Sequence, residues 1–406
     1  MSHKKQLILF CGAIVLMTSA AGVNDSVFNN FLADTYHMSA TARGWLELPR
    51  ELPGFLVVLT AGLLAALPMT RVGGVAAFTY MAGMAGLALF GARQPFGGGY
   101  GSMVAAMMVA SVGLHLLQPV TMSVTLALSS DTGRGKRIGQ VGMFENAGII
   151  VGTLLVWLLF NKAAPQYRSW FTVSAILACA AAAFYSLMHI PHLVERRPSI
   201  LFRKRYGLYY ALELLFGARK QIFITFGPWA LITVHHFPAT SIAKLLFTGA
   251  AIGLVFKPLA GIAIDRFGER AILIIDGIVL TFVCIGYGYA VPICGGDADL
   301  ARTLASACFV ADNLLFALGA GRSIYLSRIA LSRQELSSTL GAGVSINHIV
   351  SMTIPAAAGA LWAGLGFEKV FLAAAFLALT NAAVASFVPG RKAVQAQVAC
   401  DTSASQ

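Results

Sequence analysis

The stretch Gly261-Ile-Ala-Ile-Asp265-Arg266-Phe267-Gly268-Glu269-Arg270 places four charged residues in a short turn between two long apolar runs. The flanking runs, at about 241–263 and 271–292, each hold the ~20 mainly apolar residues that cross a bilayer as a helix. A charged turn between two such runs is typical of a loop that joins two transmembrane helices at a membrane surface.

The same alternation of apolar runs and short polar turns continues along the chain. Of the 406 residues, 57% are hydrophobic and 11% are charged, less than half the roughly 25% of a soluble domain. This composition excludes a water-soluble globular protein and predicts an all-α membrane protein. Twelve spans are predicted, at about 6–32, 43–67, 74–92, 102–128, 138–160, 169–190, 206–236, 241–263, 271–292, 301–328, 339–362 and 370–388.

The loops carry an uneven distribution of Lys and Arg. With both termini inside, the cytoplasmic segments hold most of these residues, which predicts a multi-pass inner-membrane protein with cytoplasmic termini. The basic amino-terminal start could belong to a signal peptide. We favour an uncleaved first helix, because the apolar run continues to Leu32, beyond a usual signal sequence.

The two halves of the chain resemble each other weakly, at an offset of about 195–200 residues. Tyr167–Phe171, for example, falls opposite Phe367–Phe371. The longest polar stretch lies between these halves and divides the chain into two sets of six spans. We therefore predict a six-helix bundle at 1–190, a cytoplasmic linker at 191–205, a second bundle at 206–390 and a cytoplasmic tail at 391–406.

The turn between spans eight and nine closely resembles the loop signature G-x-x-x-D-R-x-G-R-R of the major facilitator superfamily, with Glu269 replacing a basic residue. The resemblance implies two pseudo-symmetric six-helix bundles and transport by alternating access. It also implies a conformational latch at the cytoplasmic face, formed by Asp265, Arg266, Gly268 and Arg270. The first-half copy of the turn has Thr70 where the signature has its acid.

Other segments locate the chain within this superfamily only coarsely. Glu47-Leu-Pro-Arg-Glu-Leu-Pro53 and Ser345-Ile-Asn-His348 resemble segments of a bacterial branch. The Gly-Pro pattern of drug/proton antiporters is missing from span five, and no sugar-porter signature follows span six or span twelve. The resemblance therefore implies a transporter without implying its substrate.

Ionisable side chains recur inside the predicted spans, where each costs at least about 2.5–3.5 kcal/mol on insertion scales. Such residues persist when they face a cavity or a partner, which makes them candidates for function. They are Asp25, Glu47, Arg50, Glu51, His115, Glu145, Glu213, Arg219, Lys220, Lys257, Asp276, Asp312, Arg322, Arg328 and His348.

The internal repeat ranks the candidates for solute binding. It places span one opposite span seven and span four opposite span ten, and in the resembled family these four spans line the central cavity. The predicted solute-binding residues are Asp25, His115, Arg219, Lys220, Asp312, Asn313 and Arg322. Their cations favour a small organic anion or zwitterion, which Arg can hold bidentately. Alternatively, 206–218 is an amphipathic helix beside the membrane. Arg219 and Lys220 would then lie at the cytoplasmic interface and bind no solute.

Titratable groups within the spans are the candidates for proton coupling. They are Asp25, Glu47, Glu51, Glu145, Asp312 and His348. Glu47 has an alternative interpretation as part of a neutral cluster with Arg50 and Glu51 near the outer surface. Glu145 also has an alternative interpretation, as the salt-bridge partner of Arg322 or Lys257. For His348 the alternative is a neutral, hydrogen-bonded histidine without a role in proton transfer.

The predicted function is secondary active transport of a small organic solute across the membrane. The chain has no nucleotide-binding loop G-x-x-x-x-G-K-[ST], so an ion gradient, most simply of protons, would drive it. Efflux of amphipathic compounds is an alternative of the same class; a polytopic membrane enzyme or receptor is an alternative of another. Scattered cysteines and short basic clusters predict no metal, cofactor or nucleic acid, and we expect a monomer.

Overall fold

The computed structural model describes residues 3–64, 68–91, 99–129, 134–190 and 202–390. Within these ranges the chain is helical between short turns, and they contain no strand. Residues 191–201 of the predicted linker and the predicted tail at 391–406 lie outside the described residues.

Twelve helical segments follow one another in the described part of the chain, and each overlaps one predicted span. They are α1 (His3–Tyr36), α2 (Ala40–Trp45 and Glu47–Leu64), α3 (Met69–Gly86 with the π-helical turn Leu87–Gly91), α4 (Gly99–Ala127), α5 (Arg134–Leu159), α6 (Tyr167–Ser186), α7 (Gly207–Thr233 after the 3₁₀ turn Lys204–Tyr206), α8 (Ala239–Phe267), α9 (Glu269–Gly288 with the turn Ala290–Ile293), α10 (Ala298–Leu315 and Ala320–Ile329, joined by the 3₁₀ turn Phe316–Gly319), α11 (Arg333–Leu365) and α12 (Phe367–Ala385). The prediction of an all-α membrane protein is confirmed.

Ten of these segments are long and apolar enough to cross a membrane. The other two, α2 and α7, differ for visible reasons. Helix α2 is interrupted at Leu46, and its longer part, Glu47–Leu64, carries Glu47, Arg50 and Glu51 within 18 residues. Helix α7 carries Glu213, Arg219 and Lys220, which lower its hydropathy although it is 27 residues long.

The chain divides into two compact units. Unit one consists of Met1–Met38, Pro49–Arg197 and Ile232–Leu254, and unit two consists of Ser39–Leu48, Pro198–Leu231 and Val255–Gln406. Each unit therefore takes most of one half of the sequence and a short segment of the other half. The division into bundles at 1–190 and 206–390 stays a prediction.

Small residues allow the helices of each unit to approach closely, as is common between membrane helices. In unit one, Gly152 of α5 lies against the backbone of Ser19 in α1, and the Ser19 hydroxyl donates to the carbonyl oxygen of Gly148 at 3.0 Å. In unit two, Gly277 of α9 lies against the backbone of Ala378 in α12. A side chain at either glycine would meet backbone atoms that cannot move aside.

An aromatic contact recurs in both units and supports the internal repeat. The ring centroids of Phe31 in α1 and Phe171 in α6 are 5.0 Å apart. In unit two, those of Phe223 in α7 and Phe371 in α12 are 5.4 Å apart. Phe171 and Phe371 are the residues that the sequence comparison of the two halves had already aligned.

Candidate functional site

The charged residues in the middle of α7 and α10 form a buried ion pair. Arg219 Nη1 donates to Asp312 Oδ1, and both residues are 1% exposed. The guanidinium carbon of Arg219 lies 5.7 Å from the ring centroid of Phe216 and 5.4 Å from that of Phe316. Ion pair and aromatic rings together replace part of the hydration that this guanidinium loses on burial.

A second buried network joins α7, α10 and α11 through Glu213. Arg322 Nε donates to Glu213 Oε1 at 2.9 Å, and Asn347 Nδ2 donates to Glu213 Oε2 at 2.7 Å. Lys220 Nζ donates to Asn347 Oδ1 at 3.2 Å. The sequence had suggested Glu145 as a partner for Arg322; the carboxylate that holds Arg322 is Glu213. Pairing across three helices depends on how each helix is rotated, which hydropathy does not report.

Asp276 of α9 is a third acidic side chain buried in unit two. It is 0% exposed, and neither of its carboxyl oxygens has a hydrogen-bond partner among the described residues. The sequence placed it inside a span but gave it no role. Its burial without a partner makes it a functional candidate, because a buried polar group without a hydrogen bond is costly.

The first turns of α2 belong to unit two and carry a further buried ion pair. Arg43 Nη1 lies 2.5 Å from Glu47 Oε1, and Gln221 Nε2 of α7 donates to Glu47 Oε2 at 3.2 Å. Gly44 and Gly359 let α2 and α11 meet backbone to backbone beside this pair. The sequence had grouped Glu47 with Arg50, whereas its ion-pair partner, Arg43, is one turn earlier, at the start of the predicted second span.

Polar residues of α2 and α4 meet in unit one. Glu51 Oε1 lies 3.3 Å from Arg50 Nη2, and Glu51 Oε2 lies 3.8 Å from His115 Nε2. The other ring nitrogen, His115 Nδ1, lies 3.1 Å from Ser111 Oγ. The structure thus brings together a predicted proton-coupling residue, Glu51, and a predicted solute-binding residue, His115.

Helices α1, α4 and α5 of unit one enclose a cavity of about 400 Å³. Its wall includes Met17, Leu114 and Gln118, and Glu145 is the one charged residue among the described residues that line it. Because most of the lining is apolar, this cavity suits a molecule with a sizeable apolar part. Asp25 of α1 does not line it; Asp25 is exposed, with Asn24 Nδ2 3.4 Å from its Oδ1.

The predicted latch residues lie where α8 ends and α9 begins. Gly268 has φ 86°, which an L-residue rarely adopts, so glycine suits this sharp turn. Asp265, Arg266 and Arg270 are exposed. The turn is held instead by Glu269, whose Oε2 lies 2.9 Å from Arg328 Nη1 of α10.

Two further predicted residues, Asn313 and His348, lie on helices of unit two. Asn313 Nδ2 donates to the carbonyl oxygen of Phe309 in its own helix at 2.9 Å. His348 is half-buried on α11, next to Asn347. The roles assigned to the predicted solute-binding, proton-coupling and latch residues stay predictions, including the meeting of Asp25 with Arg219.

The sequence profile of the Major Facilitator Superfamily matches residues 9–330. This chain belongs to that superfamily. Members of this family are membrane transporters of small solutes rather than enzymes, so the chain is a secondary transporter with the superfamily fold. No curated protein sequence matches it significantly.

Solved transporter structures share this fold at low sequence identity. The nucleoside transporter NupG matches with a TM-score of 0.72 and 13% identity, covering 95% of this chain and 98% of its own. A D-xylose-proton symporter matches at 0.70 and 15%, covering 95% and 97%. A bacterial homologue of the human lysosomal transporter Spinster, in an inward-facing and unoccupied conformation, matches at 0.71 and 14%, covering 95% and 96%. Identities this low support the common fold alone.

Proposed function

We propose that this transporter moves a small organic anion or zwitterion across the inner membrane by alternating access, driven by protons. The observation that carries the proposal is the buried pair of Arg219 and Asp312. A proton on Asp312 removes the negative charge that holds Arg219. The guanidinium then becomes available to a carboxylate of the solute, so that proton and solute bind together.

Four features accompany this proposal. Both termini lie in the cytoplasm, as the loop charges favour, and the protein acts as a monomer. The similarity in fold to a D-xylose-proton symporter is compatible with proton coupling. Lys220, one residue after Arg219 and half-buried, supplies a second cation for an anionic group.

A thermal-stability screen of the purified protein tests the solute class. We expect carboxylates or amino acids, such as lactate, citrate or glutamate, to raise the melting temperature more than xylose, uridine or tetraphenylphosphonium. A ligand at 100 times its Kd adds about 2.7 kcal/mol to the stability of the state that binds it. Stabilisation should be larger at pH 6 than at pH 8, because the pair opens when Asp312 is protonated.

Arg219→Lys is the matched variant for this screen. Lysine keeps the positive charge beside Asp312 but loses the planar, bidentate fork. We expect it to remove most of the stabilisation by the carboxylate hit. If neutral sugars or hydrophobic cations alone stabilise the wild type, or the variant responds fully, the anion proposal is wrong.

Efflux of amphipathic compounds is a second candidate, favoured by the cavity between α1, α4 and α5. Its apolar lining and single carboxylate, Glu145, match a hydrophobic cation. Tetraphenylphosphonium should then bind the wild type, and Glu145→Gln should weaken binding about ten- to a hundredfold, since contacts with a charged group contribute ~1.5–3 kcal/mol. Glu368→Gln removes the same charge outside the cavity and should leave binding unchanged. Equal binding to all three proteins argues against this site.

A further inference from the structure

The carboxyl group of Asp276 is isolated inside unit two. It lies on α9, about 10 Å from the start of that helix by helical rise. It is 0% exposed, and both oxygens lack a hydrogen-bond partner within the described residues. An ionised carboxylate buried in this way costs several kcal/mol unless a cation compensates it. In this arrangement the group is therefore stable as the neutral acid.

Two buried arginines near it have unused donors. The Nη2 of Arg219 and the Nη1 of Arg322 are buried and have no hydrogen-bond partner in the described part of unit two. Helix α9, which carries Asp276, packs against α10, which carries Asp312 and Arg322. Arg219 pairs with Asp312, so these charges lie within electrostatic range of Asp276. Helix α12, which packs along α9, has no charged residue between positions 370 and 385.

Unused donors and an unused acceptor thus occur together in one water-poor region. Arg219 gives one nitrogen to Asp312 and keeps its other terminal nitrogen unused. A rotation of its side chain could transfer the guanidinium to a second carboxylate without exposing any charge to lipid. Arg322 is less free to move, because Glu213 and the ring of Phe216, 3.4 Å from its guanidinium carbon, both hold it.

We propose that Asp276 and Asp312 form a two-carboxyl switch that shares one proton and one guanidinium. In the present arrangement Arg219 pairs with ionised Asp312, and Asp276 carries the proton. In the alternative arrangement the proton has moved from Asp276 to Asp312, and Arg219 pairs with ionised Asp276. One O–H bond breaks as another forms, and the net charge of the three groups stays the same.

This inference rests on the proposed proton coupling and adds a second acid to it. In the empty carrier, Asp276 compensates Arg219 whenever Asp312 holds a proton, so the guanidinium is never left buried alone. An anionic solute takes the place of Asp276 at Arg219, and the released Asp276 carboxylate takes up one proton from solution, so that one proton and one solute enter together. Asp276 is accordingly a proton-holding and positioning residue that does not itself contact the solute.

Infrared spectroscopy of the solute-free protein tests the switch, because protonated carboxyl groups have a C=O stretching band that carboxylates lack. With purified protein in an ester-free detergent at pH 7, we expect Asp276→Asn to lose one component of this band. Asp312→Asn should lose the same component although Asp276 is intact, because the freed Arg219 then pairs with Asp276 and ionises it. Arg219→Gln should instead gain a component, as Asp312 loses its counter-charge.

Glu269→Gln is the matched control, since it removes a buried carboxylate of the same helix whose partner is Arg328; its band should equal the wild type. Persistence of the Asp276 component in Asp312→Asn overturns the switch, and so does an identical band in the wild type and Asp276→Asn. This measurement uses neither solute nor gradient. Failure of the proposed proton coupling is seen separately, because it would abolish the pH change during solute entry into vesicles and leave the infrared bands unchanged.

Discussion

Replacing Arg219 by alanine is expected to lower the free energy of unfolding by about 3–5 kcal/mol, because the change leaves the carboxylate of Asp312 buried without its counter-charge. Both side chains are 2% exposed, so water does not take over the lost contact. Asp312→Ala should have an effect of similar size, since it strands the guanidinium. Denaturant titration of the folded protein in detergent micelles measures both changes.

A double variant at Arg219 and Asp312 shows whether the two charges stabilise the protein as a pair or independently. With both residues replaced by leucine, no charge is stranded, and we expect the protein to be more stable than either single alanine variant. Arg302 and Asp299, on the helix that carries Asp312, offer a matched control. Arg302 Nη1 lies 3.3 Å from Asp299 Oδ1, but this pair is exposed. Arg302→Ala should change stability by less than about 1 kcal/mol. Additive losses in the Arg219 and Asp312 variants would contradict a coupled pair.

Asp312→Asn is expected to abolish solute accumulation against a concentration gradient. One pH unit corresponds to about 1.4 kcal/mol, so one proton per solute sustains roughly tenfold accumulation in vesicles with a gradient of one unit. Asparagine cannot carry the proton or take the guanidinium back, so Arg219 stays paired with Asp276 and the variant should not accumulate the solute. The measurement is uptake of a labelled carboxylate identified by the thermal screen.

Glu368→Gln is the control for that experiment, because it removes a carboxylate from the first turn of α12, away from the networks of unit two. It should accumulate solute like the wild type. Near tenfold accumulation by Asp312→Asn would show that another group carries the proton. The ion pair of Arg219 and Asp312 would then have only a structural role.

The hydropathy of the sequence was sufficient for the fold, because the bilayer requires long apolar helices whatever their neighbours are. Each of the twelve predicted spans overlaps a helical segment of the described residues, and the aligned pair Phe171 and Phe371 occupies matching places in the two units. The charged turn at Asp265 identified the family without any knowledge of the site.

The partners inside the site could not be obtained in the same way. Arg219 and Asp312 were both candidates, but they are 93 positions apart in sequence. Their pairing depends on how α7 and α10 are each rotated about their axes. Arg43, the first residue of the predicted second span, was not among the candidates, yet it is 1% exposed. Asp276 resembled the other intramembrane acids in sequence; only its lack of a partner distinguishes it.

Proton movement during solute entry tests the central claim most directly. Vesicles containing the wild-type transporter, with no initial pH gradient and a pH-sensitive dye outside, receive the carboxylate identified by the screen. We predict that the outer solution becomes more alkaline as the solute enters, and that vesicles with Asp312→Asn give no such change. Entry of the solute into wild-type vesicles without any change in outer pH would contradict the account.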